Sequence, residues 1–245
     1  DRREIIVILK IKREKYSGTE EIYKLYNKNN NEINSYESIT NNNGIESNIQ
    51  YNNDIVNIFI PKSYKEKSII YSNNQDVGFI ECAPTEKAIS TSYYWNMSFK
   101  GRNLKLYEIG FGNKGIYFVI KENDKTIAII SSVMIANDFK DSKDLFVDND
   151  KDSIIAIICA IYWNLYRGTS FIKDGSSGLN TINKTLTTLS REIKEKMDFE
   201  FMNNIAKQEN YVIDNKSKKS SINTIIGVTL LAIFIIFLII VLILG

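Results

Sequence analysis

The sequence predicts a mainly β protein: a closed antiparallel barrel of about twelve strands around a central hydrophobic helix, followed by an amphipathic helix and a C-terminal transmembrane helix. Three observations predict it. Short β-type runs separated by turn residues fill residues 4–148, a wholly apolar run follows at Ile154–Tyr166, and residues 224–244 carry no charge.

The strand-like runs are Glu4–Lys10, Glu21–Tyr26, Asp54–Ile60, Ser68–Tyr71, Val77–Cys82, Tyr93–Phe99, Leu104–Ile109, Ile116–Lys121, Thr126–Ile135 and Lys143–Val147, each rich in β-branched or aromatic residues. Asn43-Gly44, Lys100-Gly101 and Glu122-Asn123-Asp124 stand where hairpin turns belong, because Gly, Asn and Asp tolerate positive φ. Short connections make the pairing mostly antiparallel. Residues 27–53 are poor in apolar side chains and rich in Asn, which reads as long exposed hairpins or a mobile loop.

From Ile154 to Tyr166 the chain is apolar on every side except at Asn164, with Asp152 or Ser153 available as a cap and Gly168 as a stop. Such a run is too short to cross a bilayer, and a helix apolar all round has to be buried in protein. A closed barrel threaded by the helix buries it on all sides and leaves no strand edge exposed. The barrel is therefore expected over residues 1–168, with its helix at 153–167.

Residues 169–178 read as a linker. Leu179, Ile182, Leu186, Leu189, Ile193 and Met197 then recur at spacings of three and four, predicting an amphipathic helix over 179–209. That helix packs on its own domain, lies at a membrane surface, or forms a homo-oligomeric stalk. A polar linker, 210–222, precedes an anchor at 223–244 whose uncharged residues, at ~1.5 Å each, span ~30 Å, the thickness of a bilayer core. Lys216, Lys218 and Lys219 place the preceding domain on the cytosolic side under the positive-inside rule, making this a single-pass, tail-anchored membrane protein.

Charge is balanced, with 31 Lys and Arg against 29 Asp and Glu, and there is no arginine-rich helix or zinc-type cysteine spacing, so nucleic acid is not expected as a partner. Cys82 and Cys159 fall in apolar surroundings, as buried free thiols of a reduced compartment do. The chain has no histidine, which excludes Ser-His-Asp and Cys-His catalysis and His-dependent metal sites. Gly110-Phe-Gly112-Asn-Lys-Gly115 matches a dinucleotide fingerprint in letters, yet a strand follows it where a helix is needed, so it reads as a hairpin turn. A non-enzyme is expected.

Two sets of residues are candidates for binding. Lys100, Arg102 and Lys105 surround one hairpin, and Lys62, Lys65 and Lys67 another, each near aromatic residues; such clusters attract anionic headgroups by roughly 1 kcal/mol per cation. Asp148, Asp150 and Asp152 alternate as in a calcium loop, but Ser153 and Cys159 stand where an EF-hand needs Gly and Glu. Helix capping and a solvated turn are the competing roles for these acids.

Residues 104–109, 115–120, 126–130 and 144–148, running into Asp152-Ser-Ile-Ile-Ala-Ile-Ile158, resemble the C-terminal half of the LURP-one-related, phospholipid scramblase and tubby C-terminal-like superfamily. The resemblance covers residues 93–167 and implies a twelve-stranded barrel around a hydrophobic helix, with a weak Ca²⁺ site before that helix as in scramblases. This chain departs from the family in carrying Tyr162, Trp163 and Asn164 near the helix end, and Ser131 and Ser132 where basic residues are common. The expected function is a membrane-tethered, non-catalytic barrel binding membrane lipids or a protein partner at the cytosolic membrane face, without a cofactor other than Ca²⁺. A phospholipid scramblase and a structural or oligomeric membrane surface protein, self-associating through 179–209, are the alternatives.

Overall fold

A computed structural model gives the structure of the protein and describes residues 6–17, 19–63, 66–83, 94–112, 115–133, 142–172, 188 and 190–213. The chain divides into two compact units, Asp1–Val212 and Ile213–Gly245; of the second, only Ile213 is among the described residues. The expected anchor at 223–244 thus lies outside them. Among the described residues, no helix is long and apolar enough to cross a membrane.

Alternation of buried and exposed side chains along the first unit yields twelve strands: β1 (Val7–Tyr16), β2 (Glu20–Asn27), β3 (Glu32–Thr40), β4 (Gly44–Tyr51), β5 (Asp54–Pro61), β6 (Ser68–Ser72), β7 (Gln75–Ala83), β8 (Tyr94–Phe99), β9 (Arg102–Gly110), β10 (Ile116–Glu122), β11 (Lys125–Val133) and β12 (Ser142–Val147). Each pairs antiparallel with the next, and β1 closes on β12 in a register running from Val7 opposite Val147 to Lys12 opposite Ser142. Closure removes every free edge. Successive connections therefore alternate between two ends of the barrel. We call the end holding the β4–β5, β6–β7, β8–β9 and β10–β11 turns the near end.

Three near-end turns have positive φ at both central residues, Asn73-Asn74, Lys100-Gly101 and Asn123-Asp124, the geometry that matches strand twist in two-residue hairpins. The Asn-rich stretch forms the β3–β4 hairpin, the first of its two expected forms. Its turn is not centred on Asn43-Gly44: Thr40 faces Ile45, Asn41 Oδ1 accepts from the amides of Asn43 and Gly44, and Gly44 already belongs to β4. Glycine is needed there for another reason, since a Cβ would lie 2.3 Å from the carbonyl oxygen of Ile60. Gly110, Gly112 and Gly115 belong to the β9–β10 hairpin, with positive φ at Gly112 and Gly115.

Helix α1 (Asp150–Ile172) fills the barrel. At ~1.5 Å per residue it runs ~34 Å, and every residue from Asp152 to Leu165 is buried. It touches β1, β11 and β12 on one arc and β4 and β5 on the other, so its sides all meet inward-facing side chains such as Ile11, Ile58, Leu106 and Phe118. The expected limits, 153–167, are too narrow. The capping residue is Asn149, whose Oδ1 accepts from Lys151 N at 3.1 Å, and the helix continues through Gly168. Cys159, enclosed at the core beside Met97 Sδ (3.7 Å), has its thiol pKa pushed up by burial; Cys82 is only half-buried.

The segment after α1 corrects the expected continuous helix. Residues 179–187 and Leu189 lie outside the described residues; beyond them are the single turn α2 (Arg191–Lys194), capped by Ser190, and α3 (Phe199–Gln208). Asp198 separates the two, because its Oδ1 accepts from Phe201 N at 2.9 Å and starts a new helix. This strap packs on the outer wall, α2 on β9 and α3 on β1 and β12. Ile193, Met202, Ile205 and Ala206 are buried, as are the outward wall residues Ile8, Val119, Ile129 and Phe146. Two-sided burial explains why β10 is apolar at every position from Ile116 to Ile120.

The fold makes two expectations testable by urea unfolding. Ile158→Ala, at the fully buried centre of α1, should lower stability by about 2–5 kcal/mol. Gly78→Ala should cost about 1–3 kcal/mol or more through overpacking, because the new Cβ would lie 2.0 Å from Ser98 O, whereas Gly101→Ala meets nothing within 4 Å and should cost only about 1–2 kcal/mol of left-handed backbone strain.

Candidate functional site

The near end is where α1 enters the barrel, and both sequence-named sets contribute to it. β9 starts at Arg102, straight after the Lys100-Gly101 turn, which aims the guanidinium at the mouth. Arg102 donates from Nε and Nη2 to the two oxygens of Glu122 at 2.9 and 2.7 Å, and from Nη1 to Asp152 Oδ1 at 2.6 Å. One cation thereby joins the start of β9, the end of β10 and the first turn of α1. Its hydrogen bonds hold the Glu122 carboxyl below the usual range.

Asp150 is held from the opposite wall, accepting from Tyr51 Oη at 2.9 Å and Asn52 Nδ2 at 3.1 Å. Burial first, and then the hydrogen bond to Asp150, push the Tyr51 phenol up to about 12. Lys125 bonds Asp148 at 2.9 Å. A shallow groove of about 260 Å³ lies between these pairs, lined by Arg102, Glu122, Lys125, Asp148 and Asp152. Acidic residues in the first turn also suit the positive end of the helix dipole.

The three aspartates expected to share a cation are thus divided among separate partners. Among the described residues, no group of three or more carboxylate or thiol side chains is placed to hold a metal ion. Of the competing roles named from the sequence, capping falls to Asn149, while Asp150 and Asp152 tie the first turn of the helix to the barrel wall.

The six basic residues do not form one surface. Lys100 and Arg102 are at the near end, where Lys100 pairs with Asp54 at 2.5 Å and Arg102 is committed to Glu122 and Asp152. Lys62 and Lys67 flank the β5–β6 connection at the far end, and Lys65 lies outside the described residues. Lys67 pairs with Glu81 at 2.9 Å and sits 4.3 Å over the Phe79 ring. Lys105 is exposed on the outer wall, opposite Lys121 and Asn96. The described members of the two sets thus stand on separate hairpins, β8–β9 at the near end and β5–β6 at the far end, with Lys105 a few residues along β9.

Two features were not read from the sequence. Inside the far end, Trp163 Nε1 donates to Glu108 Oε2 at 2.6 Å, and Lys143, only 3% exposed, lies 5.0 Å over the Trp163 ring. The available signal was an ionisable residue at an inward position of an alternating strand. On the outer wall, β4, β5 and the β6–β7 turn form a groove of about 600 Å³ bordered by Asn48, Asn57 and Tyr71. Of its lining, Glu46 and Asn48 sit in the Asn-rich stretch whose composition concealed its strands.

Comparison with protein-family models, curated proteins and solved structures finds no match to this chain. The near-end geometry makes its own prediction. Arg102→Ala should destabilise the protein by about 1.5–3 kcal/mol, the range for charge-assisted hydrogen bonds. Because the Glu122 pKa is depressed by folding, its stabilisation is present above the ordinary carboxylate range and is lost as pH falls through the folded value. Thermal unfolding followed between about pH 5 and pH 3 should show a flatter acid slope in Arg102→Ala than in the wild type.

Proposed function

We propose that the protein is a non-catalytic binding barrel tethered to a membrane by its 223–244 segment, with the architecture of the LURP-one-related, scramblase and tubby-like superfamily. The observation that carries the non-catalytic, surface-binding part is the filling of the barrel by α1, whose side chains from Asp152 to Leu165 are all buried. A barrel with a packed interior has to meet its partners on its outer wall and ends. Absence of histidine and the pairing of Arg102, Lys125, Asp148 and Asp152 with one another at the near-end groove support a binding role over a hydrolytic one. Twelve strands followed by a buried apolar helix agree with the proposed architecture.

The tether rests on sequence: 21 uncharged residues at 224–244 suffice to span a bilayer core of roughly 30 Å. The basic residues contribute little in this reading, since Lys67, Lys100 and Arg102 already spend their charge on carboxylates. Vesicle flotation tests both parts. The full chain should float with neutral phosphatidylcholine vesicles and stay bound at high salt and alkaline pH, while a chain ending at Val212 should remain at the bottom of the gradient, even with anionic vesicles. Release of the full chain by alkali would overturn the tether. Flotation of the shorter chain on anionic vesicles, lost on substituting Lys62 and Lys105, would restore headgroup contact as the main activity.

A further inference from the structure

The outer groove of β4–β6 sets amides among aromatic and aliphatic side chains. Register places Asn48 opposite Asn57 and Asn57 opposite Tyr71, so three outward side chains form one row across three adjacent strands. In the next row Glu46 faces Phe59. The Asn73-Asn74 turn closes the near side, held in a left-handed conformation, and Ile55 is 57% exposed beside it. The groove therefore offers amides and a carboxylate between two aromatic rings and an aliphatic side chain.

Charge excludes several ligand classes. Among the described residues no Lys or Arg borders the groove, and its one carboxylate, Glu46, repels anions, so phosphates and acidic headgroups meet no counter-charge there. A purely apolar ligand would strip water from the amides without replacing their hydrogen bonds. An added peptide strand has no edge to join, because β5 is paired on both sides, to β4 and to β6. Asn57 Oδ1 is shielded from solvent and meets no donor, an unpaired acceptor on the groove wall.

From these features we infer that this groove binds a neutral saccharide. Hydroxyl groups both donate and accept, as Asn48, Asn57 and Glu46 require, and a small shift of the Asn57 side chain brings its unpaired Oδ1 to a ligand hydroxyl. The apolar C–H face of a sugar ring fits against Tyr71, Phe59 or Ile55. A volume of about 600 Å³ falls within the range of small-molecule sites. The inference is independent of the membrane tether, since it concerns only the barrel wall.

The test uses the full chain in a detergent without a sugar headgroup, applied to immobilised neutral oligosaccharides of glucose, galactose, mannose and N-acetylglucosamine, with heparin as the anionic control. At least one neutral oligosaccharide should bind saturably, with affinity reduced tenfold or more by Asn48→Ala and by Asn57→Leu and unchanged by Lys105→Ala on a distant part of the wall. Thermal melts accompany each variant; if Asn57→Leu fails to fold, the exposed Asn48→Ala variant decides. Absence of binding to every neutral member, preference for heparin, or equal binding by Asn48→Ala and the wild type would overturn the inference.

Discussion

Everything in the first unit depends on the burial of α1. A helix carrying Ile, Ala, Cys, Tyr and Trp around its whole circumference has no stable place in water, and a twelve-stranded barrel has an interior too wide for its own side chains to fill. Each supplies what the other lacks. At about 25 cal/mol per Å² of apolar surface removed from water, enclosing such a helix is among the largest favourable contributions open to this chain. The inward residues of β1, β4, β5, β10 and β11 are accordingly mostly Leu, Ile, Tyr, Val and Phe, with Ala128, Ser47 and Ser132 among the small exceptions.

Burial alone does not set the position of a helix along a barrel axis, because an apolar surface tolerates sliding better than a polar one. The near end supplies the missing specificity. Asp150 is tied to Tyr51 and Asn52 on one wall, and Asp152 to Arg102 on another. Trp163, about three helical turns beyond Asp152, bonds Glu108 at the far end. Directional bonds at two levels of the helix thus fix a position that hydrophobic contact leaves loosely determined. The cost is that Arg102 and the helix-start aspartates are removed from the pool of free charge, which is why residues that look like binding groups in sequence are structural in the fold.

What was legible in the sequence follows from the same physics. Strands with one buried face and β-branched residues, such as β5 and β9, announce themselves by alternation, and so does a helix with no polar face. β3 and β4 do not, because part of their inward face is polar: Ser38 and Ser47 bond each other at 2.9 Å inside the wall. The ends of α1 were misplaced because any of Asn149, Asp150, Asp152 and Ser153 can cap a helix, and only the three-dimensional demands of Tyr51 and Arg102 choose among them. The strap misled by its spacing, since an apolar repeat continues through Met197 although one helix ends at Glu195 and Asp198 begins another. The two basic sets stand on separate hairpins that open at opposite ends of the barrel, and what their sequence did not show is that Lys67, Lys100 and Arg102 pair with carboxylates.

The two-sided burial of β9 to β12 also divides the outer wall by role. Where the strap lies, outward residues such as Val119, Ile129 and Phe146 are covered, so that arc serves stability. The opposite arc, β3 to β6, carries no strap among the described residues, and it is there that Ile33, Ile39 and Ile55 remain exposed, at 46%, 51% and 57%. Exposed apolar side chains scattered singly need no explanation, but Ile55 lines the groove and Ile39 stands opposite Glu46 at its border. Among the described residues, the wall is covered on one arc by its own chain and uncovered, with mixed amide and apolar character, on the other. With the interior filled by α1 and the near-end charges paired with one another, that arc is the one the proposed binding role uses.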